Sequence, residues 1–429
     1  MDYDQILKVI VESAKLESTK NIIRSVEIDL EKDLDTPKPV RILTGLRRSG
    51  KSFLLKRLYQ KLLGVLIPPE NILFINFESD LLTGHLSLTG LRNIYETFLA
   101  RSQPDKPIYL FLDEIQNVSE WEKFVRTIYD STNHAIFLTG SNSLLLSGEL
   151  ASSLGGRVLQ YYILPFSFAE FLDWREIKYS SAFDRANNQI AIANALDEYL
   201  KFGGFPETFN LSDQGKLNYR TSLVEKIIVN DVITRFKLES PDLLRDLYRF
   251  IEANLGNIAS VRNISNVIKN QRADKEGNEK SVKSYLGYLE KTYLLQPVPK
   301  FFTKTKEILQ SQKKYYVLDN LFSHYADKED WLENVVFHHL VRRHGTNNVF
   351  FGRDERGRET NFVIKKSDGA WEEVQVVWEL NDKNQKREFA NLNSSTGRVV
   401  FMTDSRLLTR NQSGPLLVSA PDELLPHLL

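Results

Sequence analysis

Gly45-Leu46-Arg47-Arg48-Ser49-Gly50-Lys51-Ser52 reads G-x-x-x-x-G-K-S without a mismatch, between an apolar run at 40–44 and a helix-like run at 53–62. That order predicts a strand, a phosphate-binding loop and a helix. Glycines at both ends let successive backbone N–H groups curl around phosphate oxygens, and the helix amino terminus adds its dipole. The expected nucleotide-binding set is Gly45, Leu46, Arg47, Arg48, Ser49, Gly50, Lys51, Ser52 and Phe53, with Lys51 reaching the terminal phosphates and Ser52 placing its hydroxyl on Mg²⁺. The plainer alternative is a glycine turn with a solvated lysine, and the strand-loop-helix context argues against it.

A phosphate loop supplies neither a metal carboxylate nor a group that activates water. Ile108-Tyr109-Leu110-Phe111-Leu112 reads as a strand buried on both faces, and it ends in Asp113-Glu114. Asp113 is the expected metal residue and Glu114 the expected base. A third apolar run, 135–139, emerges into Gly140-Ser141-Asn142. In open α/β sheets, ligands bind beyond the carboxyl ends of the strands, so Ser141 or Asn142 could sense the terminal phosphate. The same residues would also suit a helix cap. Arg157, after Gly155-Gly156, is either an arginine finger or a surface arginine; the finger requires 158–163 to be a neighbouring strand.

The chain has 429 residues, enough for two or three domains, and its 56 Lys+Arg balance 56 Asp+Glu, so net charge gives no pointer to nucleic acid. It has no cysteine, which excludes disulfides, thiolate metal sites and cysteine nucleophiles. The amphipathic, charged start at 1–16 is unlike a signal peptide and no run is long enough to span a bilayer, so the expected location is cytoplasmic, with no membrane partner.

Strand-like and helix-like segments alternate to about residue 172, the pattern of a doubly wound parallel sheet, with strands expected at 40–44, 72–77, 108–112, 135–139 and 157–163. The expected divisions are a helical lead-in (1–38), a P-loop core (39–182), a helical connector (183–239), a winged-helix segment (240–315) and a carboxy-terminal α/β domain (316–429). In the fourth, helices are expected at 243–253, 260–269 and 281–291, with 270–280 as a mobile loop or wing. Ser281, Lys283, Ser284 and Tyr285 hold the recognition position, with Lys269 and Arg272 near it as phosphate contacts. Asp274, Glu276 and Glu279 dilute that field, and a rigid linker is the competing reading.

The ordered series Leu43 to Ser52, Phe111-Leu112-Asp113-Glu114-Ile115-Gln116, Leu138-Thr139-Gly140-Ser141, Gly155-Gly156-Arg157-Val158 before Leu164-Pro165-Phe166-Ser167-Phe168, and Gly203-Gly204-Phe205-Pro206-Glu207 resembles the AAA-type ATPases of archaea and bacteria that carry a winged-helix segment and a carboxy-terminal domain of unknown function. The resemblance runs from about residue 21 to 403. It implies an AAA-like core binding ATP and Mg²⁺, with Lys51 and Ser52 on phosphate and metal, Asp113 and Glu114 on metal and water, Ser141 as sensor, and Arg157 raised as a finger.

From about residue 318 the chain resembles the restriction-endonuclease fold, whose nucleases use a helix glutamate, a strand aspartate and Glu-x-Lys on the paired strand. Glu333, on the helix expected at 331–343, fits the first position; Asn361 stands where aspartate is expected. A hairpin closing near Asp368-Gly369 puts Gln375 and Val377 in the Glu-x-Lys place, with Glu373 and Gln375 as the other register. Neither register contains a lysine. The domain therefore reads as a decayed nuclease or a look-alike.

Three functional classes follow. The first is an ATPase whose cycle moves a half that binds DNA without sequence preference, a protein partner or another copy of the chain. The second is a slow ATP/ADP switch, and the third an ATP-dependent nuclease, disfavoured by Asn361, Gln375 and Val377.

Overall fold

The apolar runs form strands β1 (Val40–Thr44), β2 (Ile72–Asn76), β3 (Tyr109–Asp113), β4 (Ala135–Gly140) and β5 (Val158–Tyr162), within a residue or so of their expected limits. They make one parallel sheet in the order β2-β3-β4-β1-β5. Strands covered on both faces need no polar alternation, which is why β1, β3 and β4 are buried end to end. Phe74, Phe111 and Phe137, on three adjacent strands, stack with ring centroids 5.6 and 4.9 Å apart. The covering helices are α1 (Tyr3–Ala14), α2 (Lys51–Gly64), α3 (Leu88–Leu99) and α4 (Trp121–Ser131). In α4, Trp121, Phe124, Val125, Ile128 and Tyr129 recur at helical spacing and all are buried.

The computed structural model describes residues 2–15, 22–26, 38–103, 105–141, 156–271, 277–302, 312–390, 392–393, 396–404 and 415–426. They divide into two compact units, Met1–Leu164 and Pro165–Leu429. The sheet belongs to the first. Segment 165–182, expected in the P-loop core, falls in the second for a packing reason: the Phe166 N–H donates to the Gly204 carbonyl at 2.8 Å, and Phe168 and Phe171 pack on Tyr199.

The second unit begins with α5 (Phe168–Trp174), α6 (Ala182–Asn187), α7 (Gln189–Phe202) and α8 (Asp213–Lys226), which runs into a π-helical stretch at Ile227–Thr234. Next come α9 (Pro241–Glu252), β6 (Ile258–Ala259), α10 (Val261–Gln271), α11 (Glu279–Lys291), β7 (Leu295–Pro299) and β8 (Lys313–Val317), the strands pairing antiparallel in the order β6-β8-β7. Of the mobile loop or wing expected at 270–280, Asn270 and Gln271 lie in α10 and Glu279 and Lys280 in α11, while 272–276 lie outside the described residues. Finally α12 (Lys328–His344) packs against a sheet of β9 (Val349–Arg353), β10 (Glu359–Lys365), β11 (Trp371–Leu380), β12 (Arg398–Asp404) and β13 (Leu416–Ser419), accompanied by α13 (Gln385–Phe389) and α14 (Ala420–Leu424). That sheet is mixed, antiparallel from β9 to β11 and parallel from β11 to β13.

Candidate active site

The strand order brings the carboxyl ends of β1, β4 and β3 side by side, and the loop after β1 folds over them. Its first glycine is obligatory: Gly45 has φ +150, and a Cβ there would collide with the Ile163 carbonyl oxygen. Gly50, with φ +102, caps α2. Lys51 is only 3% exposed, and its Nζ donates to the Gly45 and Leu46 carbonyls, each at 3.0 Å. The same ammonium stands 3.6 Å from Glu114.

Ser52 Oγ donates to Asp113 Oδ1 at 3.0 Å, joining the start of α2 to the end of β3. Thr139, on β4, donates to the same oxygen at 2.5 Å, and its own hydroxyl oxygen accepts the Glu114 N–H at 2.9 Å. Thr139 thus fixes both acids. Glu114 itself sits at φ +54, a left-handed conformation uncommon for a residue with a side chain. Gln116 Nε2 donates to Glu114 Oε2 at 2.5 Å.

The two carboxyls are pushed apart. Burial, followed by the neighbouring Glu114 charge, raises Asp113 to about 6 despite its hydroxyl partners. Burial also pushes Glu114 up, but the Lys51 ammonium, the Gln116 amide, Arg47 and the Ser141 backbone N–H together hold it below the usual range. Asp113 Oδ2, Gln116 Oε1, Ser49 Oγ and Ser141 Oγ are buried atoms with no hydrogen-bond partner among the described residues. Buried polar atoms are ordinarily satisfied, and each orphan costs about 1–3 kcal/mol. Hydroxyl and carboxylate oxygens suit a hard cation, and the loop N–H groups with Lys51 suit phosphate, so this donor set fits Mg²⁺ and a nucleoside triphosphate.

The structure therefore brings together Gly45 to Ser52, Asp113, Glu114 and Ser141, while Phe53 is half-buried in the first turn of α2 and Arg48 is exposed at φ +64. Asn142 lies outside the described residues. Arg157 is a correction. Strand β5 does neighbour β1, but in parallel, with Val158 opposite Val40. Arg157 therefore precedes β5 at the amino end of the sheet, whereas the loop leaves the carboxyl end of β1. Its guanidinium lies 3.9 Å from Asp130 and over the Tyr129 ring, a five-residue strand (about 16 Å) from this chain's own loop.

Residues without an assigned role in the motif reading complete the site. Thr139 and Gln116 hold the acids, and Arg24 arrives from upstream: its guanidinium donates to the Ser49 carbonyl at 2.9 Å and the Leu164 carbonyl at 2.7 Å. Thr139 is legible only once β4 is known to lie beside β3.

In the second unit, the expected nuclease positions also meet. Asn361 Nδ2 donates to Glu333 Oε2 at 2.6 Å, and the Asn361 N–H donates to Gln375 Oε1 at 3.3 Å. Gln375 in turn donates to Glu388, on α13, at 2.9 Å. Val377 lies farther along β11. A lysine from outside the motif joins them: Lys314, on β8 and 1% exposed, donates to Glu333 Oε1 at 3.1 Å and also pairs with Glu359. Tyr316 donates to the same Glu333 oxygen at 2.5 Å. Burial lowers Lys314, but those two carboxylates outweigh it and hold the ammonium above its ordinary range. Both Glu333 oxygens are thus committed to protein donors.

Of the expected DNA contacts, Lys269, Lys283 and Ser284 are exposed, Ser281 is half-buried with its N–H donated to Asn278, and Arg272 lies outside the described residues. Tyr285 turns back, its hydroxyl accepting the Ser240 N–H at 3.3 Å. No helix among the described residues is long and apolar enough to cross a membrane.

Residues 37–172 match the family described as an AAA domain, and 193–350 match a domain of unknown function, DUF8612. An uncharacterised protein of Haemophilus influenzae is 30% identical over 81% of this chain and 85% of its own length. An uncharacterised protein of Methanocaldococcus jannaschii is 31% identical over 90% of this chain and 83% of its own. A Walker-type ATPase of Pyrococcus abyssi superposes with TM-score 0.47 and 17% identity, over 73% of this chain and 99% of that one. With an AAA domain that holds its phosphate loop and paired acids, the chain belongs to the same family as these uncharacterised bacterial and archaeal proteins.

Proposed function

We propose that the first unit binds Mg-ATP and hydrolyses it, and that turnover moves a second unit engaged with nucleic acid or a protein partner. The carrying observation is the Ser52–Asp113–Thr139 set, which couples the phosphate loop to the acid-bearing strand. Lys51 faces the terminal phosphates, and Ser141 senses them. Mg²⁺, held by the Ser52 hydroxyl and by Asp113 through water, would neutralise charge on the β- and γ-phosphates. Glu114, kept ionised by Lys51, takes the proton of the attacking water as its oxygen bonds to the γ-phosphorus. The bond to the bridging oxygen breaks, giving ADP and phosphate.

For the second unit, the order helix, strand, helix, helix, strand, strand from α9 to β8 supports a winged helix with α11 in the recognition position. Lys269, Lys283 and Ser284 suit phosphate contacts that are indifferent to sequence. The commitment of Glu333 to Lys314, Tyr316 and Asn361 supports a nuclease-like sheet without nuclease chemistry. A second reading, a slow switch, is favoured by the hold of Gln116 and Lys51 on Glu114.

Multiple-turnover ATP hydrolysis, measured with and without single- and double-stranded DNA, tests the proposal. Mg²⁺-dependent turnover that rises with DNA supports a DNA-linked motor, and turnover indifferent to DNA directs the search to a protein partner. Tight ATP binding without turnover favours the switch.

A further inference from the structure

The segment at residues 22–26 lies outside the match to the AAA domain, yet it delivers a buried arginine to the phosphate loop. Arg24 is 4% exposed, and its two terminal nitrogens reach different elements: NH1 donates to the carbonyl of Ser49 in the phosphate loop, and NH2 to the carbonyl of Leu164 just beyond β5. These are charge-assisted bonds to backbone, formed where water is excluded. The guanidinium also packs against Gly50, where a Cβ would come within 3.2 Å of NH1.

The orientation of one peptide plane gives this contact its meaning. In a trans peptide the C=O and the following N–H point in opposite directions. Holding the Ser49 carbonyl against Arg24 therefore turns the Gly50 N–H away from the arginine, towards the concave side of the loop, where successive N–H groups receive phosphate oxygens. A glycine-rich loop has many alternative peptide orientations, and fixing this one before the ligand arrives removes an ordering cost from binding.

We propose that Arg24 is a positioning residue for nucleotide binding: it clasps the phosphate loop from its outer side, presets the Gly50 N–H and anchors the loop to the end of β5. The inference rests on the reading of this loop as a nucleotide site. It makes the upstream segment part of that site's affinity, with no contact to the nucleotide. The effect falls on binding of the phosphate chain, since Glu114, Asp113 and Ser52 are untouched.

The test is equilibrium binding of ADP and ATP with Mg²⁺ to the full chain as wild type, Arg24→Ala, Arg24→Lys and Lys51→Ala, with kcat at saturating ATP and the melting temperature without nucleotide. Arg24→Ala should weaken ADP and ATP alike by about tenfold, the scale of one lost hydrogen bond to a charged group, with kcat within about twofold of wild type. Arg24→Lys, which keeps the charge but not the two-pronged reach, should recover part of the loss. A melting temperature that falls in both variants, with affinity following melting temperature rather than charge, would assign Arg24 to the fold alone and overturn the proposal. So would wild-type affinity in Arg24→Ala, or a fall in kcat with affinity unchanged. Wild-type protein that binds neither nucleotide would instead remove the nucleotide reading, and this inference with it.

Discussion

Ser52 and Asp113, 61 residues apart in the chain, are joined by a 3.0 Å hydrogen bond from Ser52 Oγ to Asp113 Oδ1. The bond brings a hydroxyl and a carboxylate to one point, at a carboxyl that burial has raised to about 6 from an ordinary 3.8. Because the folded value is the higher one, Asp113 favours the fold most below about pH 4, and that contribution is lost as pH rises through about 6. Metal binding has the opposite sign, since it needs the ionised form.

Mg²⁺ affinity should therefore fall about tenfold per pH unit below about 6, as protons compete for Asp113. Glu114, held low by its surroundings, stays ionised in that range. ATP hydrolysis measured from pH 5 to 8 at low and high Mg²⁺ checks this. The acid limb should shift to lower pH as Mg²⁺ rises. An acid limb unmoved by Mg²⁺ would mean that another group controls it.

Gly203→Ala should be among the most damaging single-methyl changes in the second unit. Gly203 has φ +72, and a Cβ would collide with the Asp319 carboxylate, which accepts N–H groups from Gly204 at 2.8 Å and Leu321 at 2.9 Å. Backbone strain plus the displaced acceptor should cost at least about 2 kcal/mol. Asp319→Asn, which keeps one acceptor oxygen, should cost less. Denaturant midpoints of the two variants would show the order, and equal midpoints would mean that the turn can relax.

Glu333→Ala should leave the buried Lys314 ammonium with Glu359 as its remaining carboxylate partner, whereas the paired change Glu333→Gln with Lys314→Met should be better tolerated, because a buried charge that keeps only part of its compensation costs more than removing the charge as well. Wild-type protein incubated with plasmid, linear and branched DNA in Mg²⁺ or Mn²⁺ should leave every substrate intact. Cleavage abolished by Glu333→Ala but retained by Lys51→Ala would restore the nuclease hypothesis.

The first unit was legible because its chemistry is local. The phosphate loop and the acids after β3 follow apolar runs whose period and length announce buried parallel strands, and all five strands lie close to their expected limits. Adjacency was less accessible: no pattern along the chain says that Thr139 will stand beside Asp113, or that Arg157 will be carried to the far end of a parallel strand. The same holds in the second unit. Hairpin geometry places Asn361 opposite Gln375, but Lys314 enters from β8, outside the paired strands that carry the motif.

Any DNA affinity should be independent of sequence and steeply salt-dependent, because the candidate contacts are lysines suited to phosphate. Charge reversal of Lys269 with Lys283 should weaken it and flatten the salt slope by about two. Electrophoretic mobility or anisotropy titrations at several salt concentrations would measure both. Binding that is absent at low salt for single- and double-stranded DNA would point to a protein partner.

The most direct test of the ATPase assignment is a paired comparison of Mg-ATP binding and single-turnover hydrolysis in wild type, Lys51→Ala and Glu114→Gln. Lys51→Ala should abolish binding or weaken it severely, because it removes the phosphate-facing ammonium. Glu114→Gln should bind ATP about as tightly as wild type while losing about 10²–10⁴-fold in the hydrolytic step, since it removes the proton acceptor and leaves Ser52 and Asp113 in place. Equal loss of binding in both variants, or hydrolysis surviving in Glu114→Gln, would contradict the assigned division of roles between loop and base.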